Sequence, residues 1–325
     1  MKKILIIRQG AIGDVVHTTN VFRSIKETFP DAQIDYLTGK LPASLLQNDP
    51  RLNRVIVLKD KNYFYLFQLA KELKKENYSL IINLQPSIRF KVLAALCKPK
   101  KTVNYKKTFR LHAVENFFET ARKVYKEIHN PNDLRLKIPE ETVEQVKRKL
   151  PYLTEKKLVI MNYAASPARH GRRWPLEYYK ELCTKILDRY DCNILISGAK
   201  EDVKEAKIFK KISPNVHIIA GQFSLLESAA IFSLCDVFIS GDTGPLHIAS
   251  AFEKPVCIGI YGSMPVGRTG PWGTNHFALS SDMYCVPCNR RRCKLKDFKR
   301  KQITPCMKSV KPEHVFRVIT DNDLL

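Results

Sequence analysis

With 325 residues, 44% of them apolar, the chain has material for two ordinary domains with real cores and lacks the composition of a disordered protein. No apolar run reaches the ~18–20 residues of a membrane-spanning helix, and nine cysteines without a secretion signal argue against a disulfide framework. The net charge of +23 is uneven: residues 1–150 carry 29 Lys/Arg against 15 Asp/Glu, and residues 285–311 carry 10 against 1. Such a field suits an anionic partner, whether nucleic acid, an acidic lipid surface or a phosphorylated substrate, unless it serves solubility alone.

Lys2-Lys3 followed by Ile4 to Ile7 imitates a signal peptide, but Arg8 ends the apolar run too early. The stretch therefore reads as a buried strand of a cytoplasmic protein. Short apolar runs at 4–7, 34–37, 55–58, 80–84 and 102–105 alternate with helical spacing, as over 15–29 and 63–76. Continuous apolar strands separated by helices predict a parallel sheet covered on both faces.

The first strand runs into Arg8-Gln9-Gly10-Ala11-Ile12-Gly13-Asp14. Gly10 and Gly13 make a turn that lets backbone or ligand come close. The three-glycine dinucleotide fingerprint is absent, which counts against a nicotinamide dehydrogenase. Asp14 stands where the helix begins, either as a cap or as a general base. Basic residues interleave with aromatics from Arg89 to Lys137, with the aromatic run Tyr63 to Phe67 ahead of them in the chain, a pattern that suits an anionic membrane interface, stacked single-stranded RNA, or simply solvated charges over core aromatics.

A charged helix over 140–150 and a linker at 151–157 precede a second alternating unit, with strands at 158–161, 193–197, 216–219, 237–239 and 256–261. Ala165 to Pro175 is a basic loop ahead of a helix, an anion cradle or a surface loop anchored by Trp174. Ser197 to Glu201 is a strand-end turn whose carboxylate suits a ribose. The stretch Asp236 to Phe252 is the one around which the chain is organised: a strand turns through Gly241-Asp242-Thr243-Gly244-Pro245 into a small-residue helix. Asp242 and Thr243 are placed to cap that helix, and His247 to reach an anion bound at its N-terminus. Residues 260–273 form a Gly- and Pro-rich loop. Cys285, Cys288, Cys293 and Cys306, spaced C-x2-C-x4-C-x12-C, have the thiol number for a structural zinc or iron ion, though there is no second C-x2-C. A short amphipathic helix at 312–319 closes the chain.

In their order these pieces resemble glycosyltransferase family 9, the ADP-heptose:lipopolysaccharide heptosyltransferases. The resemblance is carried by Gly13-Asp14, Arg172-Arg173-Trp174-Pro175, the Glu201 turn, Gly241 to His247, and Gly270-Pro271-Trp272-Gly273, with Cys306-Met307 and Pro312-Glu313 behind them. It implies an α/β GT-B architecture of two Rossmann-like domains facing across a cleft. Residues 1–153 would receive the acceptor and 154–311 the nucleotide sugar, with a terminal helix at 312–325 crossing back to the first domain. It further implies inverting transfer of heptose from ADP-heptose to the inner core of lipopolysaccharide, on Kdo-lipid A or heptosyl-Kdo-lipid A, with no cofactor in the chemistry. Asp14 takes the role of base, Ser166 and Arg172 lie near the diphosphate, Glu201 holds the ribose, and Asp242, Thr243, Gly244 and His247 hold diphosphate and sugar. Arg172 departs from the family's usual Lys, keeping the charge but changing its hydrogen-bond geometry. The expected partners are the nucleotide sugar, an anionic lipopolysaccharide precursor and the inner face of the cytoplasmic membrane, not nucleic acid. A nucleotide-sugar epimerase of the same architecture and a basic nucleic-acid-binding protein are the alternatives.

Overall fold

The computed structural model describes residues 2–165, 170–290, 292–295 and 303–325. The chain divides into two compact units, Met1–Ile138 and Pro139–Leu325.

In the first unit the strands are β1 (Lys3–Ile7), β2 (Gln33–Gly39), β3 (Arg54–Leu58), β4 (Leu80–Asn83) and β5 (Lys101–Asn104). They form one sheet in the order β3-β2-β1-β4-β5, parallel throughout. Ile4 to Ile7 have no exposed surface, as an apolar strand covered by helices on both faces must. The chain lays down β1, β2 and β3 in one direction, then returns to the other side of β1 for β4. The sheet thus reverses its winding between β1 and β4, where open α/β sheets leave a crevice at the strands' carboxyl ends.

The helix expected over 15–29 is two helices, Ile12–His17 and Thr19–Thr28. The Thr18 and Thr19 hydroxyls donate to the Val15 and Val16 carbonyls at 2.6 and 2.8 Å. Such back-bonding competes with the helical ladder and marks the break.

In the second unit β6 (Lys157–Asn162), β7 (Cys192–Ser197), β8 (Val216–Ile218), β9 (Val237–Gly241), β10 (Val256–Tyr261) and β11 (Phe277–Ser280) form a second parallel sheet. Its order is β11-β10-β9-β6-β7-β8, so the winding reverses between β6 and β9. The sequence reading lacks β11, a half-exposed four-residue edge strand set among turn residues.

The division of the chain falls earlier than residue 153. Helix Glu140–Lys149 packs on helix Leu225–Leu234 of the second unit, burying Val146 and pairing Lys149 with Glu227 at 2.5 Å. The terminal helix Pro312–Asp321, expected to cross to the first domain, packs on helix Leu176–Arg189, and its Val315 and Ile319 are wholly buried in the second unit's core. An amphipathic stripe states that a helix has a core to cover; it does not state which core.

Candidate active site

Each unit carries its polar constellation at the point where its sheet reverses. In the first, the chain leaves β1 through Arg8 and enters helix Ile12–His17, with Asp14 in the first turn. The Arg8 side chain is nearly buried. Its Nη1 donates to the Leu84 carbonyl, just beyond β4, at 2.7 Å, and its guanidinium lies 5.0 Å from the centre of the Phe117 ring. Nη2 meets Asp14 Oδ2 at 2.5 Å, while the Asp14 side chain keeps 38% of its surface exposed. A buried, fixed cation thus orients a carboxylate that opens to solvent. Arg8 is the partner that sequence reasoning missed; the available signal was a basic residue ending a fully apolar strand.

Gly13 is buried in the helix, and a side chain at Gly10 would meet nothing within 4 Å. A close backbone approach is made by Gly39, where a Cβ would stand 2.8 Å from the Gln9 carbonyl oxygen.

In the second unit, Asp242 follows β9 and is 1% exposed. Its Oδ2 lies 2.8 Å from Arg172 Nη2 and its Oδ1 lies 3.4 Å from His247 Nε2. Arg172 Nη1 also donates to the Asp242 carbonyl at 2.9 Å. Asp242 is therefore a buried carboxylate flanked by the Arg172 guanidinium and the His247 ring. The Thr243 hydroxyl does not cap its helix; it joins a network with Ser240 Oγ at 2.9 Å and Asn162 Nδ2 at 3.3 Å, which ties β6 to β9 across the reversal. Gly244 opens helix Gly244–Ala249, and Pro245 sits in its first turn as the sequence predicted. Glu201 is an exposed carboxylate just beyond the carboxyl end of β7. Ser166 lies outside the described residues.

Glycines let the Arg172 loop reach this position. A Cβ at Gly241 would stand 2.4 Å from the Arg172 carbonyl oxygen, and one at Gly171 would stand 2.3 Å from Ser263 Oγ. Gly241→Ala is expected to cost about 1–3 kcal/mol of stability, as overpacking against backbone does, and to loosen Arg172. Denaturant unfolding checks the first effect and ADP titration the second. Trp174 anchors the loop, buried against Tyr179 and donating from Nε1 to the Val310 carbonyl at 2.7 Å. Burial, reinforced by the Asp242 carboxylate, holds the Tyr261 phenol well above its ordinary pKa. It stays a donor, bonding the Thr269 carbonyl at 2.6 Å and so tying the Gly270 loop to the site.

Cys285, Cys288, Cys293 and Cys306 line one pocket together with Arg290 and Arg292. Burial raises the Cys306 thiol pKa. Among the described residues no three His, Cys, Asp or Glu side chains converge at metal-holding geometry.

The model of glycosyltransferase family 9 (heptosyltransferase) matches residues 66–299. Lipooligosaccharide heptosyltransferase 2 of Campylobacter jejuni serotype O:2 is 26% identical, over 96% of this chain and 96% of its own. Among solved structures, a glycosyl transferase family 9 protein from Veillonella parvula superposes with a TM-score of 0.83 at 19% identity, covering 99% of this chain and 97% of that one. Escherichia coli ADP-heptose lps heptosyltransferase II gives 0.79 at 16% identity, over 100% and 98%. These superpositions establish the fold, two Rossmann-like parallel-sheet units of GT-B type.

Proposed function

Because the chain belongs to glycosyltransferase family 9, the heptosyltransferases, we propose that it transfers heptose from ADP-heptose to the inner core of lipopolysaccharide, inverting the anomeric carbon and using Asp14 as general base. The observation that carries this reading is the Arg172–Asp242–His247 cluster at the reversal between β6 and β9. A cation and an imidazole flanking one buried carboxylate, next to a helix N-terminus, make a preorganised site for a diphosphate. No side chain caps that helix and Pro245 lacks an N–H, so the Gly244 and Leu246 N–H groups are the donors offered to an anion. Glu201, beyond β7, accepts hydrogen bonds from the ribose hydroxyls. Ser166 keeps its proposed place near the diphosphate.

The acceptor hydroxyl loses its proton to Asp14 as it attacks the anomeric carbon from the side opposite the diphosphate. Arg8 holds Oδ2, which leaves Oδ1 to receive the proton. Charge growing on the departing diphosphate is met by Arg172 and by the helix N-terminus. The acceptor is Kdo-lipid A or its heptosylated form, whose phosphates and acidic sugars suit the basic first unit. Among the described residues no helix is long and apolar enough to cross a membrane; the proposed location is the inner face of the cytoplasmic membrane.

A thermal-shift panel tests the donor. ADP and ADP-linked sugars at about 100 times Kd are expected to add ~2.7 kcal/mol to the stability of the folded protein and so to raise Tm. UDP and GDP at the same concentration leave it nearly unchanged. Equal shifts from all three nucleotides would count against an adenine-specific donor site.

A further inference from the structure

Two helices of the first unit present an apolar surface that the fold leaves uncovered. Helix Tyr63–Lys75 buries Leu66, Leu69, Ala70 and Leu73, while Tyr63, Phe64 and Phe67 are 61, 72 and 47% exposed. Helix Ile88–Leu96 packs beside it and is apolar nearly all round, the composition of a helix buried on every side. Only Phe90, Leu93 and Ala94 are buried. Ile88, Val92 and Leu96, spaced four apart on one stripe, are 65, 42 and 40% exposed.

The two exposed flanks adjoin. The Arg89 guanidinium lies over the Tyr63 ring at 5.1 Å from its centre and donates toward the Lys61 carbonyl at 3.4 Å, bridging the starts of the two helices. Helical spacing places Phe67 and Lys74 on the same flank as Tyr63, and Val92 and Leu96 on the same flank as Arg89. The aromatic and aliphatic stripes therefore form one face. Exposed Lys71, Lys74, Lys75, Lys91 and Lys98 surround it, and Glu72 is the single carboxylate on the two helices. The Lys71 ammonium lies 4.6 Å from the centre of the Phe67 ring, so charge and apolar surface are interleaved.

We infer that this face docks on an anionic lipid bilayer. Exposed aromatic and branched side chains enter the headgroup–acyl boundary, and the surrounding lysines meet lipid phosphates. Charge selects the occupant: a second copy of this chain would set lysine against lysine, whereas an anionic headgroup layer complements the whole rim. Position gives the docking a purpose. Both helices start just beyond the carboxyl ends of β3 and β4, on the sheet edge where Asp14 stands. A lipid-borne acceptor, taken from the proposed function, would then be delivered to that edge. Binding itself needs no turnover, so vesicle affinity and transferase activity fail separately.

The experiment is co-sedimentation of the full chain with vesicles of about one-third phosphatidylglycerol in phosphatidylcholine, against pure phosphatidylcholine. Wild type is expected to bind the anionic vesicles at least roughly tenfold more tightly. The double variant Phe64→Ser/Val92→Ser is expected to lose about tenfold on the anionic vesicles, as is Lys71→Glu/Lys74→Glu. Both keep the wild-type Tm, because the replaced side chains are exposed, and both keep activity on a deacylated, soluble acceptor. In Phe64→Trp, fluorescence is quenched by brominated lipid beyond the background from Trp174 and Trp272. Wild type that ignores anionic vesicles overturns the inference, as do surface variants that bind like wild type or a Phe64→Trp fluorescence signal that brominated lipid leaves unchanged. Self-association in dilute buffer that Phe64→Ser abolishes, without vesicle binding, overturns it in favour of a dimer face.

Discussion

Replacing Asp14 by Asn is expected to lower kcat by about 10²–10⁴-fold, the range for losing a positioned general base, with ADP affinity near that of wild type. The prediction rests on where the carboxylate sits. Its Oδ2 is held at 2.5 Å by a buried guanidinium that is itself fixed to the Leu84 carbonyl and to the Phe117 ring. Asn preserves the shape and one hydrogen bond to Arg8 but cannot take a proton. A carboxylate that only caps the helix would cost stability and leave kcat nearly intact, so Tm and kcat must be read together. Asp14→Glu is the control: it keeps the charge but moves it by one methylene, and recovers part of the rate. Near-normal turnover in Asp14→Asn, at pH values on both sides of the wild-type optimum, would remove Asp14 from the chemistry.

The second large effect is expected at Arg172. Its Nη2 pairs with Asp242 Oδ2 at 2.8 Å, and the carboxylate is almost fully buried, with 2% side-chain exposure against 20% for Arg172. Arg172→Ala leaves a buried charge with His247 alone, and breaking a buried pair costs about 3–5 kcal/mol. The value here falls near the lower end because Arg172 is partly open to water. On the donor side, loss of a preorganised cation facing the leaving diphosphate is expected to lower kcat by about 10²–10³-fold. The double variant Arg172→Met/Asp242→Asn separates the two consequences: removing both charges restores most of the stability and none of the rate. If it restored both, Arg172 would be a structural partner of Asp242 and the diphosphate would have to be held elsewhere.

The strands were legible because a parallel strand covered on both faces must be a short, continuous apolar run. Ile4 to Ile7, Leu158 to Met161 and Val256 to Tyr261 announce themselves in this way. β11 did not, because an edge strand that is half exposed needs no such run. The division between Ile138 and Pro139 is hidden in the sequence for a related reason. Helix Glu140–Lys149 is mostly charged and buries Val146 alone, and one buried valine does not reveal which core receives it.

For the candidate site, local chemistry was enough to mark Asp14, Glu201 and the stretch from Gly241 to His247 as strand-end positions, since turn residues after an apolar run show where a sheet opens. Which of these residues touch one another was decided by the tertiary structure alone. The Arg172–Asp242 contact joins positions 70 apart in the chain, and the Arg8–Leu84 bond joins positions 76 apart. Both exist because the sheets place β1 next to β4 and β6 next to β9. Hydrophobic periodicity determines that a strand forms and which face it buries. The order of strands in a sheet depends on how the covering helices pack, and that order chooses the neighbours of every residue at the carboxyl edge.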